Sequence, residues 1–488
     1  MKKLIAAGAA GAAAGAAGAA AALAGVVAAR TLAFKPRAEE RPAPDAAGVD
    51  EKKVVDDLAA MIRCRTVSNL DHSLEDEAEF EKFRALLRER FPLLHERCAP
   101  ERIGRCGLLF TWKGKTSETP SVLMAHYDVV PADEANWSRP PFDGVIEDGV
   151  LWGRGTLDTK STLCCALEAA EQLLGEGFTP AHDLYFAFSG EEEIAGDSAA
   201  DIVDELQRRG VVPAFVLDEG GAVVSGVFPG VDAPCALVGT SEKGQMQLFL
   251  DMKSEGGHAS APPRSTIVGK LAKAVTRIEK KPAPFTLTPP AAEMFDTLGR
   301  RSTLPVRMVF ANLWLFRPVL DLATRLMGGE LNALVRTTCA VTQMQGSPAN
   351  NVLPPDATVG VNLRIMCGDS ADKAEERIRR TIKNDAISLR RGPWAEPSPY
   401  SETEGSEGWA RLKSAIQRTW PDAIVSPYLM LAGSDSRHYG RISRNVYRFG
   451  PMELSKEERG TIHGNNERVP ICKVVKCAEF YLRLIRSC

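Results

Sequence analysis

Five places in this 488-residue chain put an acid or an imidazole where a fold brings side chains together, at the end of an apolar run or in a glycine-rich turn. His126 closes SVLMAH and is followed two residues later by Asp128. Asp158 lies in WGRGTLDTK, Glu191, Glu192 and Glu193 follow LYFAFSG, Asp218 closes AFVLDEG, and His463 lies in TIHGNNER. Singly, each has a plain explanation: a lone histidine usually packs or faces water, and consecutive glutamates suit a helix start. Together, imidazole with carboxylate is a donor set for zinc. One carboxylate can bridge two ions while one histidine and one carboxylate complete each, and an Asp two residues after a His can orient it from behind. His72, His95 and His182 carry no supporting motif, and His438 beside Arg437 reads as structural.

Such residues need a rigid frame. Leu108–Trp112 and Ser121–His126 read as strands, and Leu184–Ser189 and Ala214–Leu217 are short apolar runs of the kind buried in parallel sheets. Helical spacing over Ser161–Leu174 and Ala199–Arg209 alternates with them. This pattern predicts an α/β fold, a mostly parallel sheet covered on both faces, with functional residues gathered at strand ends. From Thr240 the pattern changes. Strand Gln245–Lys253, helix Ile267–Lys280, strands Val335–Met344 and Thr358–Ile365, helix Ser370–Lys383 and strand Ala386–Arg390 give the β-α-β-β-α-β order of a ferredoxin-like α+β lid. The expected organisation is a catalytic domain in two parts, 50–239 and 393–488, with a lid inserted at 240–392. Within the lid, 281–332 is an apolar insert (Phe295, Met308, Phe310, Leu313, Trp314, Leu315, Phe316) that reads either as a helical pair packed on the small domain or as a wall beside the active site.

Composition narrows the class. With 44% hydrophobic and 25% charged residues the chain is globular and not disordered. A net charge of −3 lacks the basic excess of a nucleic-acid binder. Eleven cysteines without a CxxC exclude a zinc ribbon or a thioredoxin-type motif. No HExxH, GxSxG or GxxxxGK[ST] occurs, which argues against a single-zinc protease, a serine hydrolase and an ATPase. Lys2 and Lys3 precede 26 uncharged residues, Leu4–Ala29; about 20 suffice to span a bilayer, and A-x-A sites also suit signal peptidase. Residues 1–30 are therefore read as a signal-anchor or signal peptide, with the catalytic domain outside the cytoplasm, membrane-anchored or secreted. Residues 31–49 are read as a linker.

The motifs in combination resemble the M20 family of co-catalytic zinc peptidases and amidohydrolases, and within it the carboxypeptidase S and N-fatty-acyl-amino-acid synthase/hydrolase branch. They are MAHYDVVP at 124–131, WGRGTLDTKST at 152–162, SGEEEIAG at 189–196, LDEG at 217–220, GGHASAPP at 256–263, NNVLPPDA at 350–357, NLRI at 362–365, GSDSRHYG at 433–440 and IHGNNER at 462–468. The resemblance implies two zinc ions (cobalt or manganese can substitute), one held by His126 and Asp218 and the other by Glu193 and His463. Asp158 would bridge them and Asp128 would orient His126. Gly196 sets the register of the glutamate run, making Glu192 the general base. His258 would help hold the oxyanion, in some relatives from the partner subunit. Asn351 and Arg364 would bind a substrate carboxylate, for which the guanidinium fork is suited, and Ser434, Asp435, Ser436 and Arg437 would lie near the substrate. The peptide bond after the bridging Asp, here Asp158–Thr159, is often cis in the family.

The implied activity is hydrolysis of an amide next to a free carboxylate, as a carboxypeptidase or an N-acyl-amino-acid hydrolase. Its partners would be a small peptide or N-acyl amino acid, a membrane reached through Leu4–Ala29, and a second copy through the lid. The alternative is a membrane-tethered, non-catalytic binding protein derived from such an enzyme, which would have lost ligands or base.

Overall fold

The computed structural model describes every residue except Met1, Glu40, Pro44 and Ala46, with side chains from Gly18 onward. The strands that matter here are, in chain order, β1 (Glu101–Ile103), β2 (Gly107–Trp112), β3 (Thr116–His126), β4 (His182–Ser189), β5 (Phe215–Val224), β6 (Cys235–Glu242), β7 (Gly244–Lys253), β8 (Thr338–Gln345), β9 (Asp356–Ile365), β10 (Ser388–Ala395), β11 (Ile424–Met430) and β12 (Val446–Glu453).

Unbroken apolar runs become central strands because both of their faces are covered. Eight strands form one sheet in the order β1-β2-β4-β3-β5-β12-β6-β11. The neighbours β4–β3, β3–β5, β5–β12 and β6–β11 are parallel, and β2–β4 is antiparallel. Leu123, Ala125, Phe186 and Phe188 point into one core with the helices Lys160–Gly175 and Ile471–Arg486. Their neighbours Val122, Met124, Tyr185 and Ala187 meet Ile202, Val203 and Leu206 of the helix Ser198–Arg208 on the other face. The fold is thus mixed α/β around a large, mostly parallel sheet. The eleven cysteines are all free.

A second sheet has the order β8-β9-β7-β10 and is antiparallel throughout. Alternate residues of β7 are buried (Met246, Leu248, Leu250, Met252) against the helices Ile267–Lys280 and Ala371–Ile382, giving this unit its own core.

The segment between the first of those helices and β8 forms four helices: Pro289–Gly299, Leu304–Ala311, Leu313–Met327 and Gly329–Ala333. They pack on the edge of the large sheet and not on the small one. Met294, Phe295 and Leu298 join Leu237 of β6 and Ile424 and Leu429 of β11, and the rings of Phe228, Phe295 and Phe310 meet at 4.9–6.1 Å between centroids.

The N-terminal helix, Lys2–Ala33, lies against Leu304–Ala311, where Arg30 Nε donates to the Ala311 carbonyl at 3.2 Å and Asn312 Nδ2 to Thr31 Oγ1 at 3.2 Å. Among the described residues no helix is long and apolar enough to cross a membrane. Much of Leu4–Ala29 lies outside the described side chains.

Candidate metal centre and active site

β3 delivers His126 at its carboxyl end, where it is 1% exposed. His126 Nδ1 is 3.0 Å from the carbonyl oxygen of Asp128. A carbonyl only accepts, so Nδ1 carries the proton and Nε2 is the nitrogen offered to the site. Nε2 lies 2.9 Å from Asp158 Oδ1. The fully buried Asp128 carboxylate accepts from the Glu192 and Glu193 N–H groups, both at 3.1 Å, and from Ser68 Oγ at 2.7 Å. One residue therefore fixes both the histidine that ends β3 and the glutamates after β4.

The turn after β4 needs Gly190, because a Cβ there would lie 2.6 Å from the Tyr127 ring. Glu191 turns inward, pairing with Arg105 Nε at 2.7 Å and accepting from the Ser198 hydroxyl. Glu192 and Glu193 open a short 3-10 turn instead. Glu193 Oε2 is 3.0 Å from His463 Nε2, and His463 Nε2 is 3.1 Å from Asp158 Oδ2. Asp158 thus faces one histidine with each oxygen. The Asp158–Thr159 peptide bond is cis.

Glu467, fully buried, holds the loop that presents Asp158. It accepts from the N–H groups of Gly155, Leu157 and Asp158 at 3.1, 2.7 and 3.2 Å, and from Arg154 Nη1 at 2.7 Å. Arg154 Nη2 reaches the Gly464 carbonyl at 2.9 Å, tying the same loop to the one that carries His463. Motif reading singled out neither residue.

β5 continues past its expected end at Asp218. Its register against β12 jumps from the Asp218–Arg448 pair to the Gly221–Phe449 pair, leaving Glu219 and Gly220 as a bulge. Bulges re-aim side chains, and this one turns Glu219 inward, with Oε1 3.6 Å from His126 Nε2. The potential ligand atoms gather in two groups, His126–Asp158–Glu193 and His126–Glu192–Glu219. Asp218 is in neither; its Oδ2 accepts from the Ser436 N–H at 2.9 Å. Glu219 is the candidate that sequence reasoning missed. The available signal was the Gly220–Gly221 pair, where a Cβ on Gly221 would stand 1.8 Å from the Leu237 carbonyl oxygen.

The site gathers four carboxylates around two imidazoles. Burial, with Asp435, Asp158 and Asp128 nearby, pushes Glu192 well above the usual carboxylate range, although His126 opposes this. Burial and Asp158 do the same to Glu219. Hydrogen bonds that His463 donates to Asp158 and Glu193 raise it to about 10. The buried Glu193 Oε1 has no hydrogen-bond partner among the described residues. A cluster with this excess of negative groups, mixed nitrogen and oxygen donors and an orphaned carboxylate oxygen fits divalent metal ions.

The remaining candidates lie around this cluster. Ser434 Oγ bonds Glu242 Oε2 and Ser436 Oγ, and Glu242 pairs with Arg448 at 2.9 Å, both nearly fully buried. With Ser436 on Asp218, these bonds tie the 434–436 segment to the junction between β6 and the lid. Asp435 is buried beside Asp218, which with burial raises its carboxyl to about 7. Arg437 Nε donates to His438 Nε2 at 3.2 Å. His258 and Asn351 sit on the lid, close to each other on an exposed two-stranded ribbon: Ala259 N–H donates to the Asn351 carbonyl, and Gly257–His258 pairs with Val352–Leu353. Arg364, on β9, is half-buried and bonded to Gln245 Oε1 at 3.3 Å; among the described residues it has no carboxylate partner.

A cavity of about 100 Å³ opens beside the bulge. It is lined by Gly220, Gly221, Leu237 and Leu334, by Met294, Glu330 and Leu331 of the insert, and by Tyr428 and Arg459. Trp314 of the insert lies outside it, 56% exposed.

The family model for peptidase family M20/M25/M40 matches residues 122–487. The chain is 36% identical over 440 residues to a probable carboxypeptidase S-like 2 of Dictyostelium discoideum, covering 88% of this chain and 84% of that protein. It is 36% identical over 443 residues to an N-fatty-acyl-amino acid synthase/hydrolase of Xenopus tropicalis, covering 90% and 86%. Its fold matches an M20 family metallo-carboxypeptidase from Sulfolobus solfataricus with a TM-score of 0.65 at 16% identity, over 89% of this chain and 98% of that one.

Proposed function

The chain belongs to peptidase family M20/M25/M40 and is a metal-dependent hydrolase of that type, and on that footing we propose a dinuclear zinc enzyme that cleaves N-acyl amino acids. The site residues proposed to hold the metal are His126, Asp158, Glu193 and His463, completed by a carboxylate of the Asp218–Glu219 pair. Glu219 is favoured within that pair because its oxygen faces His126 Nε2 at 3.6 Å. Bound zinc would supply a water able to lose its proton near neutral pH and positive charge for the substrate carbonyl oxygen.

The chain's own residues do the rest. Glu192, beside the ligands and raised by its buried, acid-rich surroundings, takes the water proton and returns it to the leaving nitrogen. Asp128 keeps Glu192 and His126 in register through the bonds described above. Arg364, without an acid partner among the described residues, is proposed to take the substrate carboxylate with Asn351. His258 is proposed to assist the oxyanion, approaching by lid movement or from a second copy. The uncharged stretch between Lys3 and Arg30 supports a proposed anchoring role for Leu4–Ala29, with the catalytic unit outside the cytoplasm.

The observation that carries the acyl reading is the cavity beside Gly220–Gly221, which Met294 and Leu331 of the insert line together with Leu237 and Leu334, with Glu330, Tyr428 and Arg459 as its polar lining. The test is release of phenylalanine from N-oleoyl-phenylalanine and from a phenylalanine-ended dipeptide by the zinc-loaded chain. Preference for the acyl substrate, with selective loss of it in Leu331→Trp, is expected. Equal loss on both substrates, or preference for the dipeptide, would refute the acyl reading and leave a carboxypeptidase.

A further inference from the structure

The helix Leu313–Met327 is apolar on two sides. Leu313 and Leu320 pack inward on the core beside Met294 and Leu334. Trp314, Leu322 and Leu326, spaced eight and then four residues apart, stand outward with 56%, 59% and 79% exposure, and Val319 joins them. A helix that is apolar all round is normally buried or in lipid, and large exposed apolar patches mark interaction sites.

Three observations identify what covers this face. First, it adjoins the N-terminal helix, since Asn312, two residues before Trp314, bonds the Val27 carbonyl and Thr31. That helix also exposes Leu23 and Val26, and it has no charge from Leu4 to Ala29. Second, of the five arginines in residues 300–327, Arg300, Arg301 and Arg325 pair with Asp296, Glu39 and Asp321, which leaves Arg307 and Arg317 without a carboxylate partner among the described residues. Third, Arg317 is exposed on the flank of the stripe, where its guanidinium donates to the Phe285 carbonyl at 3.1 Å and has no carboxylate partner among the described residues. Tryptophan, leucine and arginine on one surface helix are the signature of a helix lying in a membrane interface.

We propose that the outer face of this helix is a docking surface for an anionic lipid bilayer, with Trp314, Leu322 and Leu326 set among the acyl chains and Arg317 at the headgroups. This contact is separate from any insertion of residues 4–29, and it does not depend on the identity of the substrate.

The test uses the full chain and vesicles of seven parts phosphatidylcholine to three parts phosphatidylserine carrying brominated acyl chains, which quench nearby tryptophan. Bound protein should be quenched, and Trp314→Phe should remove that quenching while the protein remains on the vesicles. Leu322→Glu with Leu326→Glu should weaken binding by roughly a hundredfold, since each buried leucine is worth about tenfold; both positions are exposed, so an unchanged melting curve serves as the folding control. Replacing phosphatidylserine with phosphatidylcholine should weaken binding severalfold. Quenching unchanged in Trp314→Phe would overturn the proposal, as would vesicle-bound protein without quenching, which would mean attachment through the N-terminal helix alone. A lipid-free dimer that Leu322→Glu converts to monomer would also overturn it, assigning the face to a second copy.

Discussion

Glu467→Gln is the sharpest test of how the loop carrying Asp158 is built. Glu467 has no solvent exposure and serves three backbone N–H groups and the Arg154 guanidinium, itself 2% exposed. Glutamine fits the space but has one acceptor oxygen. If that oxygen keeps Leu157 and Asp158, the amide NH₂ meets Arg154 donor to donor. The buried guanidinium then loses its counter-charge, a change that costs about 3–5 kcal/mol, and an orphaned N–H adds about 1–3 kcal/mol where it is not rescued. Because Arg154, freed from Glu467, no longer ties the Asp158 loop to the loop that carries His463, metal affinity should fall by about 10–100-fold, the usual effect of removing a group behind a ligand. Competition for zinc against a chromophoric chelator gives the affinity, and melting of the metal-free chain gives the stability. Arg154→Gln should behave similarly. The double variant should cost less than the sum by about 1–3 kcal/mol, because both changes break one interaction. A Glu467→Gln protein that is destabilised but binds zinc as tightly as the parent would refute the positioning role.

Glu192→Gln should lower turnover by at least about 10²-fold, the scale of lost general-base catalysis, while metal analysis shows the same zinc content; retention of most activity would remove Glu192 as the base. Glu219→Gln should reduce zinc content more than Asp218→Asn does, and the reverse order, read by elemental analysis after dialysis, would return the role to Asp218. In the metal-free chain His463 is raised to about 10 by Asp158 and Glu193, and His126 is raised as well, its burial outweighed by Glu219, Asp128 and Asp158. His463 is then protonated at neutral pH and must lose a proton to bind metal, and the upward shift of His126 acts in the same direction. Zinc affinity should therefore rise as pH rises from about 6.5 towards 10, with proton release seen by calorimetry in buffers of different ionisation heat. Over the same window the metal-free chain should lose stability, because a raised folded pKa stabilises below the unfolded value and ceases to do so as pH passes the folded one.

Strands β3 and β4 were legible because LMAH and LYFAFS are unbroken apolar runs closed by polar residues, and the lid because its strands alternate while its helices do not. His126, Asp158, Glu193 and His463 were legible as residue types at strand ends and turns. Glu219 was not, because a bulge is set by pairing with β12, more than 200 residues away in sequence, and periodicity within one strand cannot show it. Glu467 and Arg154 were equally hidden: their importance lies in satisfying backbone groups of a distant loop, which leaves no local pattern. The insert was read as apolar, but its division into a cavity wall (Met294, Leu331) and an exposed stripe (Trp314, Leu326) depends on packing against the large sheet.

The order of the site along the chain has a consequence for how the site is closed. His126, Asp158, Glu192, Glu193 and Glu219 are complete by the first half of the sequence, but His463 and Glu467 lie within the last 26 residues. The closing helix Ile471–Arg486 packs on Lys160–Gly175, which starts just after Asp158, and the Cys488 carbonyl accepts from Ala181 and His182. A chain that stopped short of His463 would hold most of the proposed ligands but neither the second histidine nor the carboxylate that shapes the Asp158 loop. Closing the proposed site thus needs segments far apart in sequence, and the helix that follows His463 and Glu467 is itself part of the main core.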